Sequence, residues 1–316
     1  MNGAPLFLYG FARSGTTLLT MMMGAHEGLS VPLTVAGLWY KTAATAFSDK
    51  LAVSAEAERL AAHEKLARWK VDFDLDAITA GVRPGHGEDF LTAFHTQAAG
   101  SEGKRRWANM DIATIDHLET AARWFPEARF VHIVRDARDV ALSHQGMMFS
   151  EGNWFEIALG WSARVGAAER IGNLLGPQRH FTLRFEDLIR HTERELRRIC
   201  AFADLDFDPA MLRHEERVDG RIPADRRGLW PELNKPPQLN KIDRWTREAN
   251  DAQIYVVQEF AGPTLRALGY PCPEQQSVSV TGEAFLAQQL LERGHRAMRL
   301  RQKLGLKSSK RKGRAA

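Results

Sequence analysis

The stretch LYGFARSGTTLL, residues 8–19, leads from an apolar segment through two glycines into a second apolar segment. Gly10 and Gly15 have the spacing of the loop G-x-x-x-x-G-K-[ST], which holds nucleoside triphosphates through backbone N–H groups and its lysine. Thr16 occupies the position of that lysine. The stretch therefore predicts a phosphate-binding turn and leaves open which phosphate ligand is bound without the lysine.

The segments around this turn predict an α/β fold. Residues 5–10, 128–134 and 180–185 are short apolar runs typical of buried strands. Helices are predicted directly after the turn, over 114–124 and over 154–175. Because strands alternate with helices, we expect a P-loop-like three-layer fold, in which helices flank a central parallel sheet.

Two segments do not follow this alternation. Residues 41–106 are rich in Ala, Glu and Lys and are predicted to form a helical insertion within a main domain of residues 1–272. Residues 273–316 are predicted to be a linker, a helix and a basic, disordered tail. Within the main domain, Thr192 and Glu195 have the spacing of a capping box at the start of another helix.

The positive charge of the chain is concentrated at one end. Ten lysines and arginines and no acid follow Glu292. Subtracting these cations from the net charge of +4 leaves residues 1–292 with a formal charge of −6. No nucleic-acid partner is therefore expected, and an anionic membrane surface is a candidate partner of the tail alone. A solvated terminus without a partner is the alternative.

The chain has no sequence signal for a membrane span or for export. Its longest charge-free runs are too short to cross a bilayer, and the N-terminus lacks the segments of a secretory signal. Cys200 and Cys272 have neither metal-ligand nor redox spacing and are expected to be ordinary buried residues. We therefore expect a cytoplasmic protein that contacts a membrane only through its tail.

Two groups of residues have the composition of phosphate sites. The turn offers a guanidinium, hydroxyls and N–H donors at the start of a helix, from Arg13, Ser14, Gly15, Thr16 and Thr17. An ordinary glycine turn is the alternative. In FVHIVRDARDVALSH, Arg135 follows a strand, and Ser143 lies two helical turns further on. A surface arginine paired with Asp136 or Asp139 is the alternative there.

These two motifs together resemble the sulfotransferases that use 3′-phosphoadenosine 5′-phosphosulfate (PAPS). Their 5′-phosphosulfate loop, P-[RK]-S-G-T-T, is matched by FARSGTT, in which Ala12 replaces the proline. Their 3′-phosphate site has an Arg after a strand and a Ser eight residues later, like Arg135 and Ser143. The resemblance continues through LRFEDL and through KPPQLNKIDRW at residues 235–245.

The resemblance implies roles for residues of this chain. PAPS would be the co-substrate, with no metal ion, and Arg13 would stabilise charge on the leaving phosphate. Phe185 matches a tyrosine near the adenine, and Lys235 matches a lysine of the protein-tyrosine sulfotransferase branch. The cofactor-binding set is then Arg13, Ser14, Gly15, Thr16, Thr17, Arg135, Ser143, Phe185 and Lys235.

The general base is where this sequence departs from the family. Residues 30–36 read SVPLTVA, without the glutamate that related enzymes have there. Asp111 matches an aspartate of the tyrosine branch and lies 24 residues before Arg135, so it is our candidate for base or acceptor-positioning residue. The competing candidates are His26, His117, His132, His144, Glu88 and Asp89.

The resemblance implies a sulfotransferase that moves the sulfuryl group of PAPS to a hydroxyl acceptor. A glycan or glycolipid is favoured as acceptor, and a phenolic small molecule or a peptide tyrosine is the alternative. Residues 41–106 are expected to supply the acceptor contacts. Two other classes stay open, a nucleotide-dependent kinase and a non-catalytic nucleotide-binding protein. The kinase would lack the loop lysine and an acidic strand end for Mg²⁺.

Overall fold

The computed structural model describes residues 4–43, 48–145, 153–218, 232–272, 282 and 284–293. Within them the strands are β1 Leu6–Tyr9, β2 Leu29–Ser30, β3 Arg106–Met110, β4 Arg129–Val134 and β5 His180–Arg184. The helices in the first half of the chain are α1 Thr16–Gly24, α2 Leu38–Ala43, α3 Lys50–Ala61, α4 Glu64–Ala67, α5 Leu75–Gly81, α6 Asp89–Ser101 and α7 Thr114–Trp124. The later helices are α8 Ala137–Gln145, α9 Trp154–Leu175, α10 Phe185–Arg190, α11 Thr192–Phe202, α12 Trp245–Glu248 and α13 Asp251–Ala267. 3₁₀ segments cover Pro209–Arg217 and Leu239–Lys241.

The described strands form one parallel sheet in the order β2-β3-β1-β4-β5. This confirms the predicted α/β fold with a parallel sheet. In the central pairing, Leu6 lies opposite Arg129 and Tyr9 opposite His132. All strands run the same way, so the residues that follow β1, β3, β4 and β5 lie at one edge, where open α/β sheets bind ligands.

Alternation along the strands gives the sheet two different faces. Leu6 and Leu8 of β1 belong to an apolar cluster with residues of α1, α10 and α11. Phe7, on the opposite face, stacks on Phe130 at a centroid distance of 5.1 Å. Tyr9 stacks on His132 at 4.6 Å on that same face, so the second core is aromatic and partly polar.

The chain divides into two compact units, and the sheet belongs to the unit of residues 1–135 and 163–242. The second unit comprises residues 136–162 and 243–316. Its described core includes the buried Arg138, whose guanidinium lies 3.6 Å from the Trp245 ring centroid and 2.6 Å from Asp136. The predicted division of the chain at residue 272 stays a prediction, since residues 273–281 and 294–316 lie outside the described residues.

Some local predictions need correction. The capping box is wrong, because Thr192 is the first residue of α11 and its hydroxyl donates to the Leu188 carbonyl at 2.8 Å. Glu195 instead forms ion pairs with Arg194 and Arg198. The strands β2 and β3 were not predicted from the sequence. Cys200 and Cys272 are buried and unbridged, as expected. No helix among the described residues is long and apolar enough to cross a bilayer.

Candidate functional site at the carboxyl edge of the sheet

The phosphate-binding turn joins β1 to α1 through a backbone that bends sharply. The Ser14 N–H donates to the Phe11 carbonyl at 3.1 Å, and Arg13 has a φ of 70° within that turn. Gly15 precedes α1 with a φ of 94°, and no side chain caps the helix. The N–H groups of the first helical turn have no partner inside a helix, so this helix start is suited to an anion.

Position 15 requires a glycine, because of its backbone conformation and because of the neighbouring Phe185 ring. A φ of 94° lies in the left-handed region that disfavours residues with a Cβ. A Cβ at Gly15 would lie 2.4 Å from Cδ2 of Phe185. The Phe185 ring is buried in the apolar core and therefore supports the turn from below.

Ser14 is a second sign of a ligand at the turn. Its side chain is fully buried, and its Oγ has no hydrogen-bond partner among the described residues. A buried hydroxyl without a partner costs free energy, which a bound anion would recover by accepting a hydrogen bond from it. Thr16 is buried beside it, and Thr17 is half-buried.

Arg135 reaches the turn from the end of β4. Its Nη1 donates to the Arg13 carbonyl at 3.2 Å, and its Nη2 donates to the Lys241 carbonyl at 2.6 Å. Its guanidinium also lies 4.6 Å from the Phe185 ring centroid. Arg135 is 7% exposed, so it is not the surface arginine of the alternative interpretation.

At the turn, the charge of one arginine acts on the other. Burial, and then the charge of Arg135, lowers the pKa of Arg13. Two guanidinium groups that repel each other in a half-buried place are stabilised by an anion between them. The electrostatics of the site therefore fit a ligand with several negative charges.

Ser143 and Lys235, the other predicted cofactor residues, lie outside the turn in the chain. Ser143 lies half-buried on α8, in the second compact unit, which is described by itself. Lys235 is half-exposed and pairs with Glu232 at 3.1 Å. The segment that follows Lys235 contains Lys241, whose carbonyl holds Arg135.

Asp111 is a fully buried carboxyl group directly after β3. Its Oδ2 accepts the Gly37 N–H at 2.8 Å, and its Oδ1 accepts the Ala113 N–H at 3.0 Å and the Thr34 hydroxyl at 3.4 Å. Burial raises the pKa of Asp111 and outweighs these hydrogen bonds, which lower it. The geometry makes Asp111 the anchor of the loop that contains Thr34 and Gly37.

Several competing candidates for the base have structural partners. His26 contacts the Asp206 carbonyl at 2.9 Å, and His117 stacks on Tyr40 at 4.3 Å. The acids of the 85–89 loop pair locally, since Glu88 contacts His86 at 2.9 Å and Asp89 contacts Arg83 at 2.8 Å. His132 contacts Glu169, and His144 lies half-buried on α8.

Two parts of the site could not be found from motifs. Thr34 contacts Asp111 from 77 positions away, and the Lys241 carbonyl contacts Arg135 from 106 positions away. Thr34 lies within SVPLTVA, a stretch in which no residue type marks a contact with Asp111. A backbone carbonyl such as that of Lys241 leaves no signal in residue types.

A parallel sheet whose carboxyl edge carries an uncapped helix start and two arginines is an arrangement at which α/β proteins bind phosphorylated ligands. The chain belongs to the Sulfotransferase family, whose profile matches residues 5–209. This match confirms the resemblance drawn from the two motifs.

The relatives with curated names are protein-tyrosine sulfotransferases. Protein-tyrosine sulfotransferase A of Caenorhabditis elegans is 23% identical over 84% of this chain and 67% of its own length. The Drosophila melanogaster protein-tyrosine sulfotransferase is also 23% identical over 84% of this chain, which spans only 51% of that protein.

Solved structures agree with the fold. The sulfotransferase domain of an olefin synthase from Synechococcus matches with a TM-score of 0.64 at 20% identity, covering 86% of this chain and 97% of that domain. A sulfotransferase domain from the curacin biosynthetic pathway matches with a TM-score of 0.57 at 15% identity, covering 86% and 99%.

The Gly15→Ala variant should be less stable than the wild type by about 1–3 kcal/mol, because alanine must adopt a left-handed conformation against the Phe185 ring. Chemical denaturation followed by circular dichroism measures this. Gly100→Ala is the matched control, since Gly100 lies in α6 with open space around its Cβ position. That change should be neutral or stabilise by about 0.5–1 kcal/mol. Equal effects of the two substitutions would contradict the constraint at Gly15.

Asp111 should make stability depend on pH with a definite sign. Its pKa in the folded protein is raised above the ordinary value of 3.8 for an aspartate, so the stability linked to its protonation is fully present below pH 3.8. That stability is lost as the pH rises through the raised pKa. The difference in unfolding free energy, wild type minus Asp111→Asn, should therefore be larger at pH 4 than at pH 7. Each pKa unit of elevation corresponds to about 1.4 kcal/mol. A constant difference would mean that Asp111 titrates normally.

Proposed function

We propose that this protein transfers the sulfuryl group of PAPS to the phenolic hydroxyl of a tyrosine in a peptide or protein. The observation that carries the proposal is the turn at the start of α1, where Arg13 and Arg135 converge on an uncapped helix. Family membership supports the reaction class. The names of the curated relatives support tyrosine as acceptor, in preference to the glycan favoured by the sequence motifs.

The residues of the turn fit the phosphate groups of PAPS. The N–H groups of Gly15, Thr16 and Thr17 start a helix that no side chain caps, and the Ser14 hydroxyl lacks a partner among the described residues. We assign the 5′-phosphosulfate to these groups. We assign the 3′-phosphate to Arg135 and Ser143, which follow the same strand.

PAPS supplies a sulfuryl group that is activated by its anhydride link to phosphate. In the proposed reaction the acceptor oxygen bonds to sulfur, and the bond between sulfur and the 5′-phosphate breaks. Arg13 stabilises the charge that the leaving phosphate gains, in a half-buried place where electrostatic stabilisation is strong. We assign the acceptor proton to Asp111, whose raised pKa makes its carboxylate a better base.

Phe185 has a supporting task in this proposal. Its ring is 6% exposed and contacts both the Gly15 position and the Arg135 guanidinium. The ring therefore holds the turn and the arginine in register. This support is reason enough for an aromatic residue at position 185. The stacking of Phe185 on the adenine stays a prediction, and so does the contact of Lys235 with the cofactor.

A cavity of about 430 Å³ supports a peptide acceptor with acidic groups. Its lining includes Leu33, Trp69 and Gly24, the last residue of α1. Its charged residues are the cations Arg68, Lys70, Lys104 and Arg217 and one acid, Glu102, which pairs with Lys104 at 3.0 Å. Arg68, Trp69 and Lys70 belong to the segment 41–106, from which we expect acceptor contacts. Their charge favours an acceptor in which acids flank the tyrosine.

The protein should bind 3′-phosphoadenosine 5′-phosphate more tightly than ADP, because only the former has a 3′-phosphate for Arg135 and Ser143. Thermal unfolding with each nucleotide measures this, and stabilisation should reach about 2.7 kcal/mol at a hundredfold excess over the dissociation constant. Arg135→Ala should weaken binding by about 1.5–3 kcal/mol. Ser143→Ala should reduce the preference over ADP without disturbing the turn. Equal stabilisation by both nucleotides in the wild type would refute the 3′-phosphate site.

Radiolabelled PAPS should transfer its label to a tyrosine peptide with flanking acids, more slowly to the same peptide with neutral flanks, and not to its Tyr-to-Phe analogue. A glycan and a simple phenol complete the panel. Arg13→Ala should lower kcat by more than it raises KM, since its charge matters most in the transition state. Asp111→Asn should lower kcat and remove the acidic limb of the pH–rate profile.

Each outcome of this assay has a distinct meaning. Label on the glycan alone would replace tyrosine as the acceptor and keep the transferase. Nucleotide binding without transfer to any acceptor would indicate a non-catalytic binding protein. Full turnover of Asp111→Asn would leave that residue as the anchor of the Thr34 loop only.

A further inference from the structure

A polar cluster lies on the sheet face opposite the core of α1, within the first compact unit. It combines Tyr9 of β1, His132 of β4, His180 of β5 and Glu169 of α9. Tyr9 and His132 are fully buried among aromatic side chains. None of these residues belongs to the proposed phosphate site, so the cluster needs an explanation of its own.

The contacts inside the cluster are short. His132 Nδ1 lies 2.6 Å from a Glu169 oxygen, and His180 Nε2 lies 2.7 Å from the Tyr9 hydroxyl. One nitrogen of each histidine and one oxygen of Glu169 all lie within 4.8 Å of one another. Two imidazoles and a carboxylate form a donor set that zinc and related divalent metals use in proteins.

The distances between the ligand atoms of the cluster can be compared with those around a coordinated ion. Zinc bonds of about 2.0–2.1 Å in a tetrahedral site place ligand atoms about 3.4 Å apart. The cluster spans 2.6 Å to 4.8 Å. The separation expected around one ion therefore lies within the range that the three ligand atoms already span.

The surroundings hold the ligands in orientation, as metal sites require. The Thr182 hydroxyl lies 3.0 Å from both Glu169 oxygens. The His132 ring is parallel to the Tyr9 ring within 2°. On the same face of α9 as Glu169, Gly172 leaves room for His180, since a Cβ there would lie 2.3 Å from that ring.

We propose that His132, Glu169 and His180 bind one divalent transition-metal ion, Zn²⁺ above all, with the Tyr9 hydroxyl as a fourth ligand. The ion joins β1, β4, β5 and α9 and has a structural task. It takes no part in sulfuryl transfer, for which no metal is proposed. The fold brings the four residues of this site together from four separate elements.

Metal binding to the full-length protein tests the proposal. After treatment with a chelator and dialysis, Co²⁺ should give the visible absorption of a low-symmetry nitrogen and oxygen site at one ion per chain. Zn²⁺ should abolish that absorption at the same stoichiometry. His180→Gln and Glu169→Gln should each weaken binding by at least about 10–100-fold. His86→Gln is the matched control, because His86 and Glu88 form an exposed pair at 2.9 Å without a second histidine.

A milder variant and a measurement of folding separate the loss of metal binding from the loss of the fold. Thr182→Val keeps the side-chain shape, removes only the hydroxyl that holds Glu169, and should weaken binding by about tenfold. Circular dichroism of each variant without metal establishes that its fold is intact. A wild type that shows neither Co²⁺ absorption nor one bound Zn²⁺ would overturn the proposal. So would equal affinity of the wild type, His180→Gln and Thr182→Val.

Discussion

The approach of two arginines to one turn is the constraint around which this site is built. Arg135 donates to the Arg13 carbonyl at 3.2 Å, and its charge contributes to the lowered pKa of Arg13. The protein holds Arg135 in this place through the buried Phe185 ring and the Lys241 carbonyl. A pre-positioned pair of cations needs no reorganisation when a polyanion arrives, which is how electrostatic catalysis gains its effect.

The sequence predicted what depends on local patterns. The strands β1, β4 and β5 and the helices α7 and α9 follow from apolar runs and their breakers. β1 and β4 are almost fully buried and continuously apolar, whereas β5 lies at the edge of the sheet and is mostly half-buried. Strand β3 was not predicted, because Arg106 and Asn109 interrupt its apolar run. The capping box failed because the pattern of Thr192 and Glu195 cannot show that the chain is already helical in α10 before it.

In the candidate site, too, residues within local motifs were predictable and contacts between distant positions were not. The turn and Arg135 were predictable, because each lies within a short motif next to a strand. Two hydrogen bonds of the site join positions far apart in sequence. One runs from the Thr34 hydroxyl to Asp111, and the other from Arg135 to the Lys241 carbonyl. The cluster of His132, Glu169 and His180 is the extreme case. Its members are 37 and 48 positions from His132, on three elements, so no ligand spacing marks them.

The hydrogen bonds of Asp111 indicate where an acceptor would enter if this carboxylate is the base. The N–H groups of Gly37 and Ala113 hold it at 2.8 Å and 3.0 Å, and breaking either would leave a buried backbone donor without a partner. The contact with the Thr34 hydroxyl is longer, at 3.4 Å, and a hydroxyl rotates easily to another acceptor. The acceptor oxygen would therefore displace Thr34 at the least cost. Proton transfer then stays compatible with a carboxylate that also anchors the loop, because the two backbone bonds persist throughout.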